Sequence, residues 1–301
     1  MKKHSSDKVS IGDNDLVKVK QMNHVIEVRH SSKVNYKPNI KKLDKNTYVE
    51  ISTGEIKEFT HSENRQQNYN SLRQTFNRLR DLINNNFKGS SNELHVTLTY
   101  KENMKDTVRL YKDFKRFMTR LKRLYKDRST IDYINVIEPQ ERGAWHCHCL
   151  IRFNDVDKIF LSNNKVRELW EQGKIVSTKS LKNIDNIGAY LSAYLTDIEL
   201  TDENALSALN ADGKLAIKEV EGKKYIKGGR LHMYPSGMNL YRKSKGITVP
   251  VEVEMSFGRV KKKVGAATPH FEKSITLEDN DLTITHQYLQ YNIKRENTER
   301  A

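Results

Sequence analysis

The chain has 301 residues, 36% of them hydrophobic and 30% charged, with a formal net charge of +15. That length suits one large domain or two ordinary ones, and the charge favours a polyanionic partner, nucleic acid above all. No run of about 18 apolar residues occurs, so no helical membrane span and no membrane partner is expected; the two cysteines, Cys147 and Cys149, exclude a disulfide scaffold and point to an intracellular, cytoplasmic protein.

Residues 1–20 are polar, lack an apolar core of signal-peptide length, and read as a mobile N-terminus. "VIEVRHSS" and "TYVEISTGEIKEF" read as strands, with Gly54 in a turn. From about Ser62 to Asn86 the period changes, and Leu72, Phe76, Leu79, Leu82 and Ile83 recur at helical spacing. "LHVTLTY", Leu94 to Tyr100, is strand-like. "TVRLYKDFKRFMTRLKRLYKD" then predicts an amphipathic helix whose stripe is Leu110, Phe114, Phe117, Met118, Leu121 and Leu124.

"IDYINVIE" is a strand, "PQERG" a turn cluster, and "AWHCHCLIRF" a second strand. "NNKVRELWEQG" is a short helix with Gly173 as its C-cap, and "IDNIGAYLSAYLTDIEL" another helix. Residues 200–224 read as a loop or hairpin insertion around Asp212-Gly213. "RLHMYPSGMNLYRKSKGITVP" is basic and aromatic, "VEVEMSFGRVKKK" and "SITLED" suggest strands, and the last ten residues are charged. No phosphate-binding loop of the GxxxxGK[ST] type is present.

The segment "HCHC" raises the question of a four-ligand metal site. Strand residues alternate faces, so His146, His148, Leu150 and Arg152 share one face while Trp145, Cys147, Cys149 and Ile151 share the other. One ion cannot bind all four. The cysteine face is apolar and suits burial. A loop of Pro139 to Gly143 would pair Glu138 with Ala144, putting Glu138 on the histidine face, diagonal to His146. Two imidazoles and a carboxylate leave positions open for phosphate oxygens. This mixed set suits Mg²⁺ or Mn²⁺, and Zn²⁺ accepts the same donor types.

Tyr190 and Tyr194 are four residues apart and neighbour each other on one helix face. Such a pair serves either as a packing ridge or as nucleophiles. A free phenol is ionised only about one part in a thousand at neutral pH, so it needs a polarised phosphate or a nearby cation.

In this order, "LHVTLTY", "EPQERGAWHCHCLI" and "GAYLSAYLTD", followed by "GGRLHMYPSGMNLYRKSKGI", resemble the HUH endonucleases, specifically the rolling-circle replication initiators of plasmids and bacteriophages. The similarity spans roughly residues 20–260 and divides the chain into the N-terminus 1–20, a nicking–joining domain 21–260 with the insertion 200–224, and a C-terminal extension 261–301. The resemblance implies an α+β fold, a central antiparallel sheet flanked by helices and related to ferredoxin-like and RRM-like folds. It implies that His146 and His148 hold the metal with Glu138 as third ligand. Tyr190 matches the first tyrosine and Tyr194 the second. A tyrosine would attack an origin phosphodiester, keep the 5′ phosphate, and free a 3′ hydroxyl primer. A second transesterification rejoins the ends.

Many relatives carry a lysine three positions after the first tyrosine. Here Ala193 stands there, so a helper cation must come from Lys179, Lys182 or the segment near Arg242. Thr97 and Thr99, in the first motif, read as strand-packing residues. Tyr234, Tyr241, Arg242, Lys243 and Lys245 interleave aromatics with cations, a pattern suited to single-stranded DNA. The expected partners are single-stranded or extruded origin DNA and, in a bacterial host, a helicase and a DNA polymerase. A relaxase or single-strand transposase would share the chemistry; a DNA-binding repressor would share only the charge. A zinc deaminase is excluded, because Cys147 and His148 stand where its catalytic glutamate and ligand spacing belong.

Overall fold

The computed structural model describes residues 2–33, 39–59, 69–140, 143–173, 176–196, 198–199, 217–220, 223–226, 233–234, 238–279 and 282–295. The chain forms two compact units, Met1–Ser62 with Pro250–Ala301, and Glu63–Val249. The boundaries expected at residues 20 and 260 therefore fall inside the first unit. Pairing between the two ends of the chain is long-range, and no local pattern reveals it.

The first unit begins with β1 (Lys2–Ser6), β2 (Leu16–Met22) and β3 (Val25–Ser31), so the segment expected to be a mobile tail carries strands. A small antiparallel sheet follows, β4 (Ile40–Lys42), β5 (Thr47–Glu50) and β6 (Ile56–Glu58), with Gly54 at φ 73° in the turn.

The second unit opens with α1 (Tyr69–Asn86), β7 (Glu93–Leu98), α2 (Thr107–Leu124), β8 (Ile131–Pro139) and β9 (Trp145–Phe153). It continues through α3 (Asn163–Trp170), β10 (Val176–Ser180) and α4 (Ile187–Thr196). The insertion carries β11 (Ile198–Glu199), β12 (Ile217–Val220) and β13 (Lys223–Ile226), which pair as one small sheet; residues 200–216 lie outside the described residues. β14 (Tyr241–Lys243) closes the unit.

The five-stranded sheet has the order β10-β7-β9-β8-β14, and every pairing in it is antiparallel. Helices cover both faces. On one side α2 and α3 bury Leu110, Phe114, Phe117, Leu121 and Trp170 against Val96, Cys147, Cys149 and Ile151. On the other, α1 and α4 bury Leu79, Ile83, Ile187 and Leu191 against Ile134, Val136 and Leu150. Each such side chain contributes about 1.5–3 kcal/mol through burial. The expected α+β sandwich of a sheet between helices is thus observed.

Local chemistry fixes the helix ends. Asp106 caps α2 by accepting from the backbone N–H groups of Val108 and Arg109, and Ser162 caps α3 by accepting from Lys165. Leu124, expected on the α2 stripe, is 45% exposed because the helix ends there. The left-handed C-cap of α3 is Glu171, at φ 64°, and not Gly173. Gly173 is needed for a different reason: a Cβ there would lie 2.2 Å from the Thr99 carbonyl oxygen.

The chain then returns to the first unit with β15 (Glu252–Ser256), α5 (Phe257–Val264), β16 (Pro269–Asp279) and β17 (Leu282–Asn292). The six-stranded sheet runs β1-β16-β17-β3-β2-β15. "FGRVKKK", expected as strand, is helix, because Phe257, Val260 and Val264 recur at helical spacing and pack on Val17, Val19, Ile26 and Val28.

Candidate metal centre and its tyrosine

The site is built on the hairpin β8–β9. Glu138 opposes His146 directly, and Val136 opposes His148. The expected register, Glu138 against Ala144, is two residues off. Pro139 pairs with Trp145, and the Gln140 N–H donates to the Ala144 carbonyl at 2.8 Å, so the ladder runs further into the turn. A shift of two keeps the face, and Glu138 still shares it with both histidines.

One ligand atom from each of Glu138, His146 and His148 lies within 4.8 Å of the others. His148 Nε2 stands 2.5 Å from a Glu138 carboxylate oxygen. Glu138 and His148 are buried and His146 is half-buried, so the cluster opens toward solvent at His146. On the opposite face Cys147 and Cys149 are free and fully buried. Burial pushes the Cys147 thiol up to about 12 and raises Cys149 well above its ordinary value. Both stay protonated and make poor metal ligands, since the thiolate is the ligating form.

The neighbouring strand supplies a residue the sequence reading passed over. His95, on β7, is 4% exposed; its Nε2 lies 3.2 Å from His148 Nδ1. Burial, then the His148 and Lys179 charges, lower its pKa to about 3, so the ring is neutral at physiological pH. Thr97 opposes His148 in the β7–β9 register, and its Oγ1 stands 3.5 Å from the same Nδ1, so its place is beside the site and not only in strand packing. The signal was present in "LHVTLTY": His95 and Thr97 alternate, and so share a face. Which strand β7 would pair with was not visible.

Tyr190 reaches this network from α4. Its hydroxyl is 3.5 Å from His95 Nδ1, and the two rings meet edge to face at 5.8 Å between centroids. Asn186 starts the helix, its carbonyl accepting from the Tyr190 N–H and its side chain from Ala189. The helix then seats closely on α1: the Gly188 N–H donates to Asn84 Oδ1 at 2.9 Å. Tyr194 falls in the last turns of α4, where the side chains, including that of Ala193, lie outside the described residues.

Lys179 opposes His95 across β10 and β7 and is exposed on the same face; Lys182 is also exposed. Two residues expected to stack on DNA have other work. Tyr234 is 1% exposed, donates its hydroxyl to the Ile137 carbonyl at 3.1 Å, and neighbours the Trp145 ring, so it has no face to offer a base. Tyr241 is half-buried against both cores, because β14 pairs with β8 at the sheet edge. Arg242, Lys243 and Lys245 are exposed. The Arg242 guanidinium covers the Tyr111 ring at 3.3 Å, and the Lys243 ammonium donates to the Ile247 carbonyl at 2.8 Å.

Two imidazole nitrogens and one carboxylate oxygen from adjacent strands form a donor set that fits a divalent ion, with Glu138, His146 and His148 as its holders. Residues 93–199, which contain all of these groups, match the family model of the replication-associated protein ORF2. The match supports a replication-associated protein of the Rep type. No curated protein and no solved structure matches the chain significantly. Among the described residues no helix is long and apolar enough to cross a membrane.

Proposed function

We propose that the chain initiates rolling-circle replication as an HUH endonuclease, nicking and rejoining one DNA strand at an origin through a phosphotyrosine link. The observation that carries this reading is a connected line of side chains. It runs from the Tyr190 hydroxyl through His95 to His148 and Glu138, inside the segment that matches the replication-associated family.

Tyr190 Oη attacks the phosphorus of the scissile phosphodiester. The phenol loses its proton, the bond from phosphorus to the 3′ oxygen breaks, and that oxygen takes up a proton. The DNA is left with a free 3′ hydroxyl and a 5′ phosphate esterified to Tyr190. Attack by a later 3′ hydroxyl reverses the exchange. Bond energy is kept in the ester, so neither direction needs a nucleotide cofactor, in keeping with the lack of a phosphate loop.

A divalent ion, Mg²⁺ or Mn²⁺, held by Glu138, His146 and His148 would supply Lewis-acid polarisation of a phosphoryl oxygen. Tyr194, four residues on along α4, is the second nucleophile of the pair. Lys179, brought to this face beside His95, takes the place of the cation lacking at Ala193. Arg242, Lys243 and Lys245 hold the single strand by its backbone. A host helicase opens the duplex, and a host polymerase extends the primer in the bacterial cytoplasm.

The test is an incubation with single-stranded origin DNA and Mg²⁺ or Mn²⁺, followed by mass spectrometry of the peptide–DNA adduct. The adduct is expected on Tyr190, lost in Tyr190→Phe, and lost in His148→Ala. Full adduct in both Tyr190→Phe and Tyr194→Phe, or undiminished nicking by the His146→Ala/His148→Ala double variant, overturns the reading. A repressor gives neither nick nor adduct.

A further inference from the structure

His95 stands between the two halves of the site, and both its ring nitrogens face them. Nε2 meets His148 Nδ1 at 3.2 Å, and Nδ1 meets the Tyr190 hydroxyl at 3.5 Å. We propose that His95 couples metal occupancy at His148 to the direction of the hydrogen bond at the Tyr190 hydroxyl. The inference rests on the reading of Glu138, His146 and His148 as a metal site.

The argument is a count of hydrogens. A neutral imidazole has one N–H and one lone pair, so what one nitrogen does decides what the other must do. In the metal-free chain, His148 Nε2 faces a Glu138 carboxylate oxygen at 2.5 Å. A carboxylate only accepts, so Nε2 carries the hydrogen and Nδ1 carries the lone pair. His95 Nε2 must then donate to His148 Nδ1. That leaves a lone pair on His95 Nδ1, which accepts the Tyr190 O–H.

An ion bound at His148 Nε2 takes that lone pair for itself and moves the ring hydrogen to Nδ1. His148 Nδ1 now donates, and His95 Nε2 must accept. His95 Nδ1 then carries the hydrogen and donates it to the Tyr190 oxygen. Both rings exchange tautomers, and neither gains or loses charge. Thr97 Oγ1, 3.5 Å from His148 Nδ1, follows either state, because a hydroxyl both donates and accepts.

The consequence falls on the nucleophile. Without metal the phenol is a donor, its hydrogen turned toward His95 and its oxygen stabilised by no N–H from that side. With metal the phenol oxygen receives an N–H, the arrangement that favours negative charge as its own proton departs. His95 is thus a positioning residue that withholds the attacking geometry until the site is loaded.

The tautomers are directly observable. Protein labelled with ¹⁵N-histidine is examined by long-range ¹H–¹⁵N correlation, without metal and with Zn²⁺ as a diamagnetic probe, His95 being assigned by the signal lost in His95→Gln. His95 is expected as the Nε2–H form without metal and the Nδ1–H form with it. If His146 and His148 respond to Zn²⁺ while His95 keeps one tautomer, the coupling is wrong and the metal site stands. If no histidine responds, the metal-site reading fails and the coupling with it. The variants add a second arm. His95→Phe is expected to lose about 10–100-fold in metal affinity and adduct rate. His95→Gln, with a donor and an acceptor on one amide, recovers most of it. A folded His95→Phe protein with wild-type metal affinity and adduct rate overturns the proposal.

Discussion

Acidifying the metal-free protein should destabilise the catalytic unit through His95. The unfolded chain titrates this ring near the ordinary value of 6.5, whereas burial holds it at about 3 in the fold. Below about pH 6.5 the unfolded chain takes up a proton that the folded chain refuses, so stability falls as pH falls and levels off below about pH 3. At about 1.4 kcal/mol per pKa unit, moving from pH 7 to pH 4.5 costs the fold about 2.5 kcal/mol from this one ring. Other groups titrate over the same range, so the measurement is a difference between wild type and His95→Gln. Both tryptophans, Trp145 and Trp170, are buried in the second unit, so urea unfolding followed by tryptophan fluorescence reports on that unit. The variant should show the shallower pH dependence. Identical pH slopes in the two proteins would refute the argument that burial keeps His95 neutral.

Three further outcomes follow from particular contacts. Cys147→Ser places a hydroxyl in a fully buried apolar face and should cost about 1–3 kcal/mol by urea unfolding, with metal affinity and adduct yield unchanged; weaker metal binding would mean the cysteine face belongs to the site. Arg242→Ala should weaken single-stranded DNA binding and flatten its dependence on log salt concentration by about 0.7, as one lost phosphate contact requires; an unchanged slope removes Arg242 from the DNA path. Gly188→Ala puts a Cβ 2.7 Å from Arg80 Cγ and 2.8 Å from Asn84 Oδ1, forcing α4 off α1 and Tyr190 off His95. A displacement of about 1 Å should cost about 100-fold in adduct rate while metal affinity holds, and an unaltered rate would show that the seat of α4 does not place the phenol.

The alternation of "WHCHCLIRF" was legible because a strand has a period of two whatever it pairs with. It separated the buried thiols from the histidines and put Glu138 on the histidine side, even though the register was two residues off. The α2 stripe was legible for the same kind of reason, since helical spacing is local. What stayed hidden was set by contacts between distant segments. The pairing of β1 with β16 and of β3 with β17 joins the two ends of the chain, and nothing in "MKKHSS" or "SITLED" states it. Tyr234 looked like a DNA platform because aromatics among lysines suit one. Its burial depends on a hydroxyl that finds the Ile137 carbonyl, a partner nearly a hundred residues earlier.

His95 marks the boundary between the two kinds of information. Its place on the same face as Thr97 was readable, but its meaning depended on β7 lying beside β9, between that strand and β10. Once that order is known, the register does the rest: Thr97 falls opposite His148, and Lys179 falls opposite His95. Directly opposed residues share a face, so a sheet whose inner strand carries a histidine pair will gather on that face whatever polar groups its neighbours hold at the same parity. The helix on that side then has a polar strip to meet, and the residue of α4 that meets it is Tyr190. The juxtaposition of phenol, imidazoles and carboxylate therefore needs no loop to be held in place. Strand order and parity produce it, which ties the chemistry of the site to the least deformable part of the fold.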